Sequence, residues 1–435
     1  MDTEEDGFVI INHHGPSSPD PDTPTHLRSI SQFIDAIADE LWPVNKTIHD
    51  NPELGYEEHH AHDVLTAFLE SRPGWTVTRS AYGLQTAWIA VFASPCHTSG
   101  PVVSFNVEMD ALPDIGHACG HNLIATASLA AALAAAHTLQ THPAIPGKIV
   151  LLGTPAEEGG GGKKALLRAG AYAAYKTDIS LISHPGIVPN AALVRTSAYA
   201  RLRVRYTGRA SHAAASPWLG INALDALVVA YTAISALRQQ TMSSDIIQGT
   251  IAHGGGDTPN IIPARAEGVF IVRAGTQARL RELEDKVRAC FEAGATATGA
   301  RLDVTSEQAY ADHVPNRALA RSYTRYFNRL GPSNEKIPAD QDVDEMRGRT
   351  GASTDQGDVS YAMPSLSPGF AILPGPLGTG PHSPEFAESA GTRDAFDRTL
   401  RVGKALAGTA VDVLTQKGLL DEVKREWREA TAGQA

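Results

Sequence analysis

Three short apolar runs, from Pro101 to Val107, Lys148 to Leu152 and Asp178 to Ser183, are separated by helical stretches at 122–140 and 163–175. Consecutive strands can lie parallel only if a crossover of a dozen or more residues joins them, so this rhythm confines the segment to a parallel sheet covered by helices. A fourth run, Gln85 to Phe92, precedes them, and Ile30, Phe33, Ile34, Ile37 and Leu41 recur at helical spacing. The fold class expected for this part is α/β, doubly wound.

The rhythm changes between about 198 and 311. Arg201-Leu-Arg-Val-Arg-Tyr206 alternates with period two, putting apolar residues on one face and three arginines on the other. A helix over Asn222 to Gln239, strands near Ile246–Ile251 and Val269–Arg273, a helix over Ala278 to Gly294 and a strand near Arg301–Thr305 complete the order β-α-β-β-α-β, the ferredoxin-like plan. The expected organisation is therefore a disordered tail at 1–26, a first domain in two parts at 27–195 and 315–435, and an inserted α+β unit at 196–314. The second part runs through Ala371-Ile-Leu to an amphipathic helix around Thr399–Gln416.

Composition narrows the partners. The formal charge of −11 on 435 residues argues against nucleic acid or an anionic membrane surface. Three cysteines, Cys96, Cys119 and Cys290, suit a reducing compartment, and the acidic start lacks the order of a secretory signal, so a cytoplasmic protein is expected. The stretch Asn122 to Gln140 is nearly free of charge but Ala-rich and dotted with Thr126, Ser128 and His137, which reads as a buried helix and not a membrane span.

Ligands in open α/β sheets gather beyond the carboxyl ends of the strands. Those positions are occupied by Glu108-Met-Asp110 and His117-Ala-Cys119-Gly-His121-Asn122 after the first run, Glu157-Glu158 and four glycines after the second, and His184-Pro-Gly186 after the third. Thiolate, imidazole and carboxylate are all zinc ligands, and imidazole also suits other first-row metals. Cys119, His121, Glu158, His184 and the later His382 make five candidates, too many for one open catalytic ion and suited to two ions about 3.5–4 Å apart. Of the adjacent Glu157 and Glu158, one can bind metal while the other serves as general base toward the activated water. His59, His60 and His62 read as a solvated helix face.

Other chemistries lack their parts. Gly162-Lys163-Lys164 has neither the hydroxyl residue after lysine nor the glycine that a phosphate loop needs, since Glu157 stands where that glycine would be. Neither His-Glu-x-x-His nor Gly-x-Ser-x-Gly occurs.

Asp110-Ala-Leu-Pro, Gly116-His-Ala-Cys-Gly-His121, Gly153-Thr-Pro-Ala-Glu-Glu158, Gly208-Arg-Ala-Ser-His212, Asn260-Ile-Ile-Pro263 and Pro381-His382-Ser383 follow one another in an order that resembles the M20 family of metallopeptidases and amidohydrolases, in its Cys-x-His branch. Where many members carry Asp after the second His, this chain has Asn122. The resemblance implies metal ligation by Cys119, His121, Glu158, His184 and His382, with Glu157 as general base and Asp110 orienting a ligand imidazole. It also implies that the insert is a lid and dimerisation domain. There His212 would polarise the scissile carbonyl, often from the partner subunit, while Asn260 and Arg273 would hold the substrate carboxylate. The expected activity is hydrolysis of an amide bond in a small dipeptide or N-acyl amino acid, with two divalent ions as cofactors, in a homodimer or higher homo-oligomer. Zinc suits Cys119, and manganese or cobalt stay open. A deacylase acting on a non-peptide amide and a metal-binding homologue without turnover are the alternatives. The roles of Asp355 and Asp358 stay unassigned.

Overall fold

Twelve strands lie among residues 24–96 and 99–432, the part of the chain described by a computed structural model. In chain order they are β1 (Trp75–Thr78), β2 (Trp88–Ala93), β3 (Val102–Glu108), β4 (Lys148–Thr154), β5 (Ile179–Leu181), β6 (His184–Gly186), β7 (Ala198–Thr207), β8 (Ile246–His253), β9 (Arg265–Ala274), β10 (Arg301–Tyr310), β11 (Ser365–Leu366) and β12 (Gly369–Ala371).

The larger sheet has the order β1-β2-β4-β3-β5-β11. Its middle is parallel, β3 pairing with both β4 and β5, and β5 with β11. At one edge the sheet departs from parallel, β2 running antiparallel to β4 and β1 antiparallel to β2, an orientation the sequence reading does not address. Only four residues long and half exposed, β1 has too little apolar pattern to announce itself. Side chains alternate between two cores. Ala90, Val103, Phe105 and Leu151 pack toward the helices Leu27–Asp50, His121–Thr141 and Arg393–Thr415, while Ile89, Val102, Val150 and Leu152 pack toward Leu166, Tyr172, Val359 and Met363. The sheet is thus covered on both faces, the doubly wound arrangement expected.

By length and composition His121–Thr141 could cross a membrane, but here it is the central helix of the protein, buried against the helices Leu27–Asp50 and Arg393–Thr415 and the sheet. The stretch at 163–175 is two short helices, Gly162–Arg168 and Ala171–Ala174, interrupted by Gly170 at φ 81°. A closing helix, Leu419–Thr431, follows the one expected near the carboxyl end. Of the expected tail, 1–23 lies outside the described residues, whereas Pro24 is buried and its carbonyl accepts from the Leu27 N–H (3.1 Å), so 24–26 form the ordered turn that starts the first helix.

The insert has the sheet order β10-β7-β9-β8, with every neighbouring pair antiparallel. Leu202, Val204 and Tyr206 of β7 join Leu227, Phe270 and Phe291 under the helices Ala223–Leu237 and Gln277–Thr298. The opposite face carries Arg201, Arg203 and Arg205, paired with Glu307 and Glu267. This is the ferredoxin-like plan read from the period-two pattern.

Candidate metal centre

Because β4, β3 and β5 are adjacent and parallel, their carboxyl ends open on one side of the sheet. Glu108 ends β3 and is in register with Thr154, which ends β4. The loop after β4 then carries Glu157 and Glu158, and the segment after β5 carries His184. Cys119 and His121 flank Gly120, whose φ of 79° starts the central helix. A Cβ on Gly120 would stand 2.6 Å from Pro185 Cγ, so only glycine lets the helix start approach the His184 segment this closely.

These contributions meet. Cys119 Sγ lies 3.3 Å from His184 Nε2, and His382 Nε2 lies 3.4 Å from Glu158 Oε1. His121 Nε2 is 3.4 Å from Glu108 Oε2, 3.8 Å from Glu158 Oε1 and 3.9 Å from Glu157 Oε2. Such gaps are those of ligand atoms that share an ion at about 2.0–2.3 Å. All five ligands expected from the sequence belong to overlapping groups whose donor atoms lie within 4.8 Å of one another: Cys119 with His121 and His184, and Cys119 with Glu158 and His382.

The imidazoles are aimed. His121 Nδ1 is 3.0 Å from Asp110 Oδ1, and His184 Nδ1 is 2.8 Å from the Pro185 carbonyl. Both partners accept, so Nδ1 carries a proton and Nε2 is the nitrogen that faces the centre; for His121, burial opposes the charged form but the Asp110 carboxylate outweighs it and raises its pKa well above the ordinary value. Asp110 also accepts from the Glu158 N–H (2.9 Å), which ties one ligand to the other. Glu108 Oε2, His121 Nε2 and Glu158 Oε1 are buried without a hydrogen-bond partner among the described residues, although buried polar atoms are ordinarily satisfied. Three unpaired acceptors facing one another fit a bound cation.

Ala156 is held at φ 54°, an unusual conformation for a residue with a Cβ, and this kink turns Glu157 and Glu158 in different directions. Three contacts brace it: the Glu58 carboxylate accepts from the Ala156 N–H (2.7 Å), Asp110 holds the Glu158 N–H, and the Tyr310 hydroxyl donates to the Glu157 carbonyl (2.8 Å). Burial, and then the nearby Glu108 charge, push the Glu157 carboxyl well above the usual carboxylate range. Burial, and then Glu158, likewise push the Cys119 thiol up.

Lys163 escaped the sequence reading, where it counted only as part of a failed phosphate loop. Its side chain is wholly buried, the ammonium 2.6 Å from Glu108 Oε1 and bonded to Asp355. Burial works against its charge, but Asp355, Glu108 and Glu157 outweigh burial and hold its pKa well above the ordinary value. Nothing local marks a lysine as buried when its partner is 192 residues away. Asp358 pairs with Lys164 and accepts from the Ala311 N–H. His62, expected on a solvated face, is instead buried, its Nε2 accepting from the Ser80 N–H (3.4 Å). Asn122 is pinned in the core, donating to the Ala390 carbonyl (2.9 Å).

The insert's candidates stand apart from the cluster. Among the described residues no hydrogen bond or ion pair joins His212, Asn260 or Arg273 to it. His212 is exposed and its Nδ1 accepts from the Ala214 and Ala215 N–H groups, leaving Nε2–H as an outward donor. The Ala213 N–H donates to the Asn260 carbonyl, which sets those two loops side by side. Arg273 lies 4.7 Å over the Tyr199 ring and donates to the Gly351 carbonyl (3.1 Å) and Ser353 Oγ (2.7 Å).

Residues 194–298 match the family described as Peptidase dimerisation domain. The whole chain is 42% identical to the Xaa-Arg dipeptidase of Mus musculus over 409 residues, covering 92% of each chain. The chain belongs to the M20 family. A more distant relative is one of the two p-aminobenzoyl-glutamate hydrolase chains of Escherichia coli (strain K12), 28% identical across 93% of this chain and 96% of its own. Among solved structures, a dinuclear metal-binding M20 peptidase of Bacillus subtilis superposes with a TM-score of 0.65 at 18% identity, covering 87% of this chain and 99% of that one. This last likeness speaks for the M20 fold.

Proposed function

We propose that the protein is a metal-dependent amide hydrolase that cleaves a small dipeptide or N-acyl amino acid. The observation that carries this reading is the meeting of Cys119, His121, Glu158, His184 and His382 beside an independently braced Glu157. Two divalent ions would be held by those five residues, zinc being favoured by the Cys119 thiolate, and when bound they supply Lewis acidity to a carbonyl and lower the pKa of a water. Glu157 accepts the proton that this water gives up and delivers it to the leaving amine nitrogen. Its raised proton affinity suits both halves of that cycle. Asp110 keeps His121 turned inward, and its bond to the Glu158 N–H keeps the two carboxylates from exchanging places.

His212, with Nε2–H as donor, is suited to the developing oxyanion, and Arg273 with Asn260 to a substrate carboxylate. Because His212 is exposed and, among the described residues, makes no hydrogen bond or ion pair to the cluster, the reading includes a homodimer in which it serves the partner's site. The insert offers a surface for that: β8 lies at the sheet edge, with Ile246, Ile251, Val228, Val229 and Tyr231 exposed on that strand and the adjacent helix.

The names of the two relatives suggest the first substrates, dipeptides ending in arginine and then aryl-acyl glutamates. The test is hydrolysis of such a paired panel by protein loaded with zinc, manganese or cobalt. Wild type should cleave at least one set, and Glu157→Gln should keep its metal while losing turnover by roughly 10²–10⁴-fold. Near-normal turnover by Glu157→Gln would overturn the assignment of the base.

A further inference from the structure

Glu108 stands outside the five ligands, yet one of its oxygens lies against the imidazole of one of them, His121. It is buried at the end of β3 with its two oxygens divided between opposite tasks. Oε1 accepts from the Lys163 ammonium at 2.6 Å. Oε2 has no hydrogen-bond partner among the described residues and faces His121 Nε2 at 3.4 Å. A carboxylate needed only as counter-ion to Lys163 would be served by Oε1. The second oxygen faces an imidazole nitrogen whose other nitrogen is committed to Asp110, an arrangement that calls for positive charge between them, supplied either by a proton on His121 or by a bound ion.

Behind Glu108 stands a buried brace. Lys163 is anchored twice by Asp355, through its ammonium and through its backbone N–H (2.9 Å to Oδ2). Carboxylate oxygens of Glu108, Glu157 and Asp355 lie within 4.8 Å of one another, so three acids share one ammonium in a dry pocket. Glu108 and Asp355 both bond the one ammonium, and the second oxygen of Glu108 is left facing His121.

We propose that Glu108 belongs to the metal centre, turning Oε2 toward the ion beside His121, and that Lys163, braced by Asp355, is the positioning residue that holds it there. This rests on the metal-dependent reading above and adds to it a sixth protein group and a resident cation. Lys163 stands against the very carboxylates that would otherwise draw a metal ion away from the catalytic pair.

The test is metal affinity, measured on protein stripped by dialysis against a chelator and titrated with zinc or manganese in competition with a chromophoric chelator, alongside elemental stoichiometry and the melting temperature of the stripped form. Glu108→Gln should weaken one of the two ions by roughly 10–100-fold, and Asp355→Asn should weaken the same ion less. Glu108→Asp keeps the charge that Lys163 needs but withdraws the oxygens by one methylene. It should lose metal affinity while the stripped protein melts near wild type, and it serves equally if Glu108→Gln does not fold. Unchanged affinity for both ions in Glu108→Asp and Glu108→Gln, with a lowered melting temperature, would make Glu108 a counter-ion of Lys163 and overturn the proposal alone. Wild type that takes up no ion would overturn the metal-dependent reading with it.

Discussion

The centre at the strand ends and the candidates on the insert are built to different rules. His121, Asp110 and Glu108 are sealed from solvent, and His121 and Glu108 are each held by another buried group, Asp110 and Lys163. His212 and Asn260 are exposed, and Arg273 is held by a carbonyl, a hydroxyl and a tyrosine ring with no carboxylate against it among the described residues. A crowd of like charges has to be preassembled, because aligning it during turnover would cost free energy at each cycle. Groups that greet a substrate have to stay open until it arrives. On this view the protein is a finished metal site facing an unfinished substrate site, and the second is completed by the partner or by movement of the insert.

The sharpest way to break that contrast is a pair of inactive proteins. Glu157→Gln removes the base and His212→Ala the oxyanion donor, the latter with an expected loss of roughly 10²–10³-fold in kcat and unchanged metal content. Co-expressed, the two should recover activity, since a mixed dimer has one site with Glu157 from one chain and His212 from the other. Recovery would place the insert's histidine across the interface, whereas no recovery in an isolated mixed dimer would place both groups in one chain. Arg273→Ala comes next. It should raise KM by roughly 10–100-fold for substrates with a free carboxylate, the range of a lost charged hydrogen bond, and leave amidated analogues unaffected. An equal effect on both kinds of substrate would reduce Arg273 to a tie between the insert and Ser353.

The junction between the two regions gives the smallest effect. His313 is buried where the chain leaves the insert, its Nδ1 donating to the Val194 carbonyl (2.8 Å), and burial lowers its pKa to about 4. The unfolded chain, with the ordinary value near 6.5, takes up the proton first as pH falls. Stability from this group is therefore complete above about pH 6.5 and drains away as pH drops toward 4, by about 2 kcal/mol at pH 5. Denaturant unfolding of chelator-stripped wild type against His313→Gln should show that extra loss between pH 7 and 5 in wild type alone. Parallel curves would contradict it.

What could be read from the chain divides along the same line. The ends of β3, β4 and β5 were legible because parallel strands return to one edge, so residues after three apolar runs had to meet whatever the loops did. The insert was legible because β7 alternates strictly and its helices are long. β1 was missed for shortness, and the burial of His62 because it falls on the stripe with Leu65, Thr66 and Leu69 while its histidine neighbours His59 and His60 are exposed, so a histidine-rich stretch hides the one that faces inward. Glu58, Lys163 and Asp355 act through partners 98 to 192 residues away, and no local pattern encodes such a pairing. On the proposed reading the reach of His212 depends on a second chain, which neither the sequence pattern nor a single copy of the fold encodes.

The most direct test is anomalous diffraction at a metal edge on metal-loaded crystals, with elemental analysis of the same protein. Two ions per chain, ringed by Cys119, His121, Glu158, His184 and His382, with Glu157 alongside but not replacing a ligand, is the predicted result. A protein that hydrolyses its substrate with no ion there, or with its ions bound elsewhere, would contradict the account.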